Sequence, residues 1–189
     1  MTGTIVASTL ISGPFAFVLL ECVIIGLQIV LQGFGVSGKR KKYFNKAFFA
    51  KHFPELKGNI PQGGYPDNGS GKYSEKLTLE QWQDFNNAQR AHLNYVEGAA
   101  TIIISLLVAG LFQPRLTAVL GLAYIVGRFL YGLGYSSAGP KGRLVGVLIL
   151  DLALIAAFGV AAYSSFQAAG GVKGALDLLQ HVVRLDLWQ

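Results

Sequence analysis

The 189-residue chain is 52% hydrophobic and only 14% charged, with a mean hydropathy of +0.44; a soluble domain averages about 25% charged residues, so most of this surface does not face water. A single cysteine, Cys22, excludes an intrachain disulfide framework and a Cys-rich metal site. The net charge of +6 does not mark a nucleic-acid binder, because the basic residues gather between apolar runs, where charge sets membrane topology and attracts lipid headgroups.

Residues 1–12 carry no Lys or Arg. A secretory signal needs a positive n-region and an apolar stretch of roughly 7–15 residues. The first apolar run is longer, so it is expected to persist as a helix. Four apolar segments follow one another, each near the ~20 residues that a spanning helix needs. The first runs from about Gly13 to Val36 and includes Glu21, Gln28 and Gln32. Loop 1, about residues 37–78, is long and polar. Pro54, Pro61, Pro66 and many glycines predict that most of it is irregular. Thr78 followed by Gln81 reads as a capping box. It opens the second span, about Leu79 to Phe112. Gln113-Pro114 is a minimal second loop, and the third span runs from about Arg115 to Tyr135. A short third loop, Ser136 to Gly142 with Pro140, precedes the fourth span, about Arg143 to Phe166. Backbone groups in a bilayer must be satisfied within the segment, so the fold class is all-α, an integral membrane four-helix up-down bundle over residues 1–170. In the tail, 171–189, Val172, Leu176, Leu179, Val183 and Leu187 recur at helical spacing, which predicts an interfacial amphipathic helix.

Charge orients the bundle. Loop 1 carries Lys39, Arg40, Lys41, Lys42, Lys46, Lys51, Lys57, Lys72 and Lys76; Lys141 and Arg143 sit at loop 3. The N-terminus carries none, loop 2 only Arg115, and the tail only Lys173 and Arg184. The positive-inside rule puts loops 1 and 3 in the cytosol and both termini opposite. The sequon Asn68-Gly69-Ser70 would then never meet the glycosylation machinery.

Polar groups inside spans are costly and mark function. Arg90, Asn94 and Glu97 are spaced i, i+4, i+7 and share one helix face. Arg128, Tyr131 and Tyr135, spaced i, i+3, i+7, share another. The up-down order brings both sets, with Arg40 and Arg143, to the loop-1 end of the bundle. A tyrosine there alone reads equally as part of an aromatic belt. Several arginines with one carboxylate leave positive charge uncompensated, and such a site suits an anionic ligand. Glu21 and Asp151 read as bundle-pairing groups. Cys22 reads as apolar filling. His52, His92 and His181 are too scattered for a metal site, so no metal is expected.

The run Phe85-Asn86-Asn87-Ala88-Gln89-Arg90-Ala91-His92-Leu93-Asn94-Tyr95-Val96-Glu97 resembles the signature of the MAPEG family, membrane-associated proteins in eicosanoid and glutathione metabolism. Its FN-x-x-QRAH-x-N-x-x-E form is most similar to the type-three microsomal glutathione S-transferase branch. Gly121 to Tyr135, read as GLAYIVGRFLYGLGY, carries the second specific match. Phe15 to Leu20, Arg40-Lys41-Lys42-Tyr43 and Gln113-Pro114-Arg115 are weaker ones. Two features depart from the family pattern. Glu97 is followed by Gly98-Ala99-Ala100, where relatives commonly place an aromatic residue and then Pro, and loop 1 is longer.

The resemblance implies a homotrimer that binds glutathione between subunits near the cytosolic face. Arg90, Asn94 and Glu97 would hold its backbone charges. Arg128, Tyr131 and Tyr135 would line the site, and Arg40 would contact the ligand from the end of the first span. Arg143 matches the arginine that activates the thiol in the leukotriene-C-synthase branch, and Tyr135 would assist it. The implied activity is glutathione transfer to a lipophilic electrophile, or reduction of a lipid hydroperoxide, with glutathione as co-substrate. The alternative is a non-catalytic lipid-binding protein or a structural subunit of a larger membrane complex. The expected location is the endoplasmic reticulum membrane, with a mitochondrial or other organelle membrane as the alternative.

Overall fold

The computed structural model describes residues 11–186. Four long helices are apolar enough to cross a bilayer: α1 (Gly13–Tyr43), α3 (Leu79–Phe112), α4 (Pro114–Gly142) and α5 (Leu144–Ala168). Two shorter helices, α2 (Lys46–His52) and α6 (Gly171–Asp186), lie in loop 1 and in the tail.

The helix starts follow local chemistry. The N–H of Phe15 donates to Ser12 Oγ, and Pro14 takes the first turn of α1, where its missing N–H is no loss. At α3 the expected capping box is complete: Gln81 N–H donates to Thr78 Oγ1, and Thr78 N–H donates to Gln81 Oε1. Pro114 opens α4 directly after Gln113, so the second loop is as short as expected.

Cross-helix contacts set the directions. Phe15 meets Gly110, Gly33 meets His92, and Lys39 pairs with Asp84, so α1 and α3 run antiparallel. Glu21 meets Gly121, and Gln28 donates to the Ile125 carbonyl; α1 and α4 therefore run parallel. Helices α3 and α4 form the central pair, each packed against both α1 and α5. The core is Val18, Ile25, Tyr95, Ile102, Leu106, Tyr124, Tyr131, Leu150 and Ala157 with their neighbours. The outward faces carry Val23, Val119, Ile155 and Phe158, all more than half exposed. A contiguous apolar surface of that kind needs cover from lipid or from another apolar surface.

Three boundaries differ from the sequence expectation. α1 continues to Tyr43, so Lys39–Lys42 occupy its last turn and not a loop. There Asp84 of α3 pairs with Lys39 and accepts from the Tyr43 hydroxyl, which lets the helix continue past the apolar run. Loop 1 is ordered: α2 and single 3₁₀ turns at Pro54–Leu56, Gln62–Gly64 and Ser74–Lys76 are joined by an aromatic cluster of Phe44, Phe48, Phe49, Phe53, Tyr73 and Phe85. Loop 3 is absorbed into α4, which bends at Gly139 (φ 62°, ψ −147°) just before Pro140 and resumes to Gly142. The tail is helical as expected, with Val172, Leu176, Leu179 and Val183 exposed; Leu187 lies outside the described residues.

Close packing of α4 on α5 depends on glycine. A Cβ at Gly146 would meet the backbone of Tyr131, and one at Gly127 would meet the backbone of Leu150. Gly146→Ala should lower stability by about 1–3 kcal/mol, the usual cost of overpacking. Gly159→Ala, with nothing within 4 Å of the new atom, should stay within about 0.5 kcal/mol of the parent. Thermal unfolding of both variants in one mild detergent checks the contrast.

Candidate functional site

At the loop-1 end, α3 and α4 present the two polar faces that the spacing implied, in different ways. On α4, Arg128, Tyr131 and Tyr135 all turn inward and are 3%, 2% and 7% exposed. On α3, Arg90, Asn94 and Glu97 are exposed on the outer face.

Arg128 is the centre of the arrangement. Its Nε donates to the Tyr124 hydroxyl (2.8 Å), and its Nη1 donates to Asn94 Oδ1 (2.7 Å). The guanidinium carbon lies 4.6 Å from the Tyr95 ring centroid, 5.2 Å from that of Tyr124 and 5.6 Å from that of Tyr131. Gly98 makes this possible: a Cβ there would lie 2.9 Å from Arg128 Nη2. The glycine after Glu97, a departure in the sequence pattern, is thus the space that the guanidinium fills. The Tyr95 hydroxyl in turn donates to Gln28 Oε1 (2.6 Å), tying α1 into the same network.

Arg143, half-buried between α4 and α5, reaches back over α4. Its Nη1 stands 3.5 Å from the Tyr131 hydroxyl, and its guanidinium carbon 5.5 Å from the Tyr135 ring centroid. Its Nε is buried without a hydrogen-bond partner among the described residues. Tyr135 also lines an open cleft of about 840 Å³, with Arg90, Asn86, Asn87 and Gln89 of α3, Asn68–Ser70 of loop 1 and Ser137–Pro140 of α4. Among the described residues, Arg90 is the one charged side chain in that lining.

Arg40 lies at the loop-1 end, in the last turn of α1. It is 2% exposed and committed to loop 1: Nη1 donates to the Gly63 carbonyl (3.1 Å) and Nη2 to Asn68 Oδ1 (2.6 Å). The Tyr65 ring covers it at 3.9 Å. Glu97 and Asp151 make no ion pair or hydrogen bond among the described residues, and Asp151 is exposed on α5. Glu21 is buried within the subunit beside Gly121, its Oε2 without a partner among the described residues.

Loop 1 supplies the residues that sequence reasoning did not assign. Trp82 Nε1 (2.7 Å) and Asn86 Nδ2 (3.2 Å) donate to the Gly69 carbonyl, and Gln89 Nε2 (3.3 Å) to Asn68. Trp82, Asn86 and Gln89 are spaced i, i+4, i+7, so their common face was readable; their target was not. The turn they grip is built on Asp67, 6% exposed. Its carboxylate accepts the N–H groups of Gly69, Gly71 and Ser74 and the Ser74 hydroxyl. Burial pushes this carboxyl up, but the hydrogen bonds from Ser74, Gly69 and Gly71 outweigh it and hold the group below the usual carboxylate range.

The chain matches the family model described as the MAPEG family over residues 18–163. It is also 43% identical over 84 residues to microsomal glutathione S-transferase 2 of Homo sapiens, an alignment covering 41% of this chain and 56% of that relative. The match thus spans little more than half of the relative's own length. The sequence resemblance pointed to the type-three branch, whereas this relative bears the type-2 name.

A carboxyl held low stabilises the fold fully above its unfolded-state value, and the contribution is lost as pH falls through the folded one. The turn at Asp67 should therefore stay docked through the ordinary carboxylate range and release only below it. Trp82 emission, read with Trp188 replaced by Phe, reports the docking. Asp67→Asn should cost about 1.5–3 kcal/mol and shift Trp82 emission at neutral pH.

Proposed function

This chain belongs to the MAPEG family, and from that premise we propose that it binds glutathione at the loop-1 end of the bundle, from the cleft between α3, α4 and loop 1 along the neighbouring outer face of α3, and activates its thiol. The thiolate attacks a lipophilic electrophile, or reduces a lipid hydroperoxide, that arrives laterally from the bilayer. The carrying observation is Arg143: a half-buried guanidinium beside the Tyr131 hydroxyl and the Tyr135 ring, with Nε unpartnered. It stands at the same end of the bundle as Arg90.

The chemistry follows from the charge. A free thiol has a pKa near 8.5, so only a few per cent is thiolate at pH 7. A guanidinium beside the sulfur favours the anion and stays charged itself. Each ~1.4 kcal/mol of preference for the thiolate lowers its pKa by one unit. Tyr135 donates a second hydrogen bond to the sulfur. Arg90, Asn94 and Glu97 hold the two carboxylates and the ammonium of glutathione, which need cations and an anion at fixed spacing. Arg128 and Tyr131 set the floor beneath them.

The outer face of α3 supports a homotrimer. Arg90 and Glu97 are exposed on a membrane helix without an ion-pair partner among the described residues, a costly arrangement in lipid that a neighbouring copy relieves. The membrane of the endoplasmic reticulum is the proposed location, in keeping with a relative named microsomal.

Arg143→Ala should leave glutathione bound and move the pH profile of turnover upward, because the thiol pKa rises when the cation is removed. Arg143→Lys should recover part of the shift. An unshifted profile in Arg143→Ala removes Arg143 from the mechanism. Arg90→Ala should weaken glutathione binding by about 1.5–3 kcal/mol, one charge-assisted hydrogen bond, with little change in the profile; calorimetric titration in detergent measures it.

A further inference from the structure

The turn at Asn68-Gly69-Ser70 is fastened to the bundle more firmly than a surface loop requires. Asp67 folds it, Trp82 and Asn86 grip the Gly69 carbonyl, and Arg40 and Gln89 both donate to Asn68 Oδ1, at 2.6 and 3.3 Å. The same three residues wall the cleft that Arg90 and Tyr135 line.

Arg40 fixes which way the Asn68 amide faces. A guanidinium carries donors only, so the atom turned toward it must be the amide oxygen. The amide NH₂ is what remains. Among the described residues it has no hydrogen-bond partner, and Asn68 is exposed along the cleft. A cation on the oxygen also polarises the amide and strengthens its donor end. The result is a fixed donor in the same wall system as Arg90, suited to an oxygen anion.

We propose that Asn68 is a specificity-determining residue that donates from Nδ2 to a carboxylate of the bound peptide, with Arg40 acting through it as a positioning residue. This rests on the glutathione reading above and adds to it a contact from loop 1. Arg40 then serves the ligand without touching it. The loop becomes part of the binding site.

Asn68→Asp is the direct test. The new carboxylate keeps the acceptor for Arg40 and Gln89, so the turn stays docked, as unchanged Trp82 emission in the Trp188→Phe background would verify. The donor is lost and a negative charge enters the cleft. The Kd for glutathione should rise about tenfold or more, as for a lost hydrogen bond to a charged group. The penalty should shrink for glutathione diethyl ester, whose carboxylates are neutral. Asn68→Ser adds no charge, and its hydroxyl, though able to donate, is too short to reach the place of the amide NH₂, so it too should weaken glutathione by about tenfold. Unchanged affinity in both variants overturns the assignment, as does an equal penalty for glutathione and its diester. A wild-type protein that binds no glutathione overturns the underlying reading as well.

Discussion

A guanidinium cannot be left bare inside an apolar bundle, and Arg128 is where this protein meets that constraint. Asn94 and Tyr124 accept its hydrogen bonds, and the Tyr95, Tyr124 and Tyr131 rings surround it. It makes no ion pair with a carboxylate among the described residues. Its charge is therefore solvated by dipoles and ring faces and not cancelled. The same network fixes α3 against α4 through Asn94, and α1 against α3 through Tyr95 and Gln28. These bonds tie the three helices together beside the packing of the core. The positive charge therefore persists within the bundle at the loop-1 end.

Loop 1 solves a second problem at the same end. A long polar segment over a membrane bundle has little reason to settle unless something holds it. Here the hold is double. An aromatic cluster from Phe44 to Tyr73 packs the outer part against Phe85, and Arg40 ties the inner part at Gly63 and Asn68. The consequence is a cleft with one wall from a loop and the rest from helices, so the bonds that hold the loop also shape the cleft.

Much of this was legible in the sequence, for a definite reason. Helical periodicity sets which side chains share a face, so Arg90/Asn94/Glu97 and Arg128/Tyr131/Tyr135 were found as sets, and hydropathy marked the four spans. The Thr78–Gln81 cap was equally readable, because capping is local. What escaped was long-range or masked by punctuation. Lys39–Lys42 reads as loop, yet α1 continues because Asp84, 42 to 45 residues away, pairs with the run. Pro140 reads as a break, yet α4 bends at Gly139 and resumes. The glycines and prolines of loop 1 read as irregular chain, since nothing local shows that Trp82 and Arg40 will grip it. How the α3 face is used was also hidden: Arg90, Asn94 and Glu97 are all exposed, yet Asn94 also accepts from the buried Arg128.

On the proposed function, a glutathione thiol becomes a thiolate at the loop-1 end of the bundle, under the influence of Arg143. Ultraviolet difference absorbance of the purified protein, titrated with glutathione at neutral pH in mild detergent, reads the thiolate directly. A saturable thiolate band is expected, at a pH where free glutathione shows only a few per cent of it. Saturable binding of glutathione with no such band would contradict it.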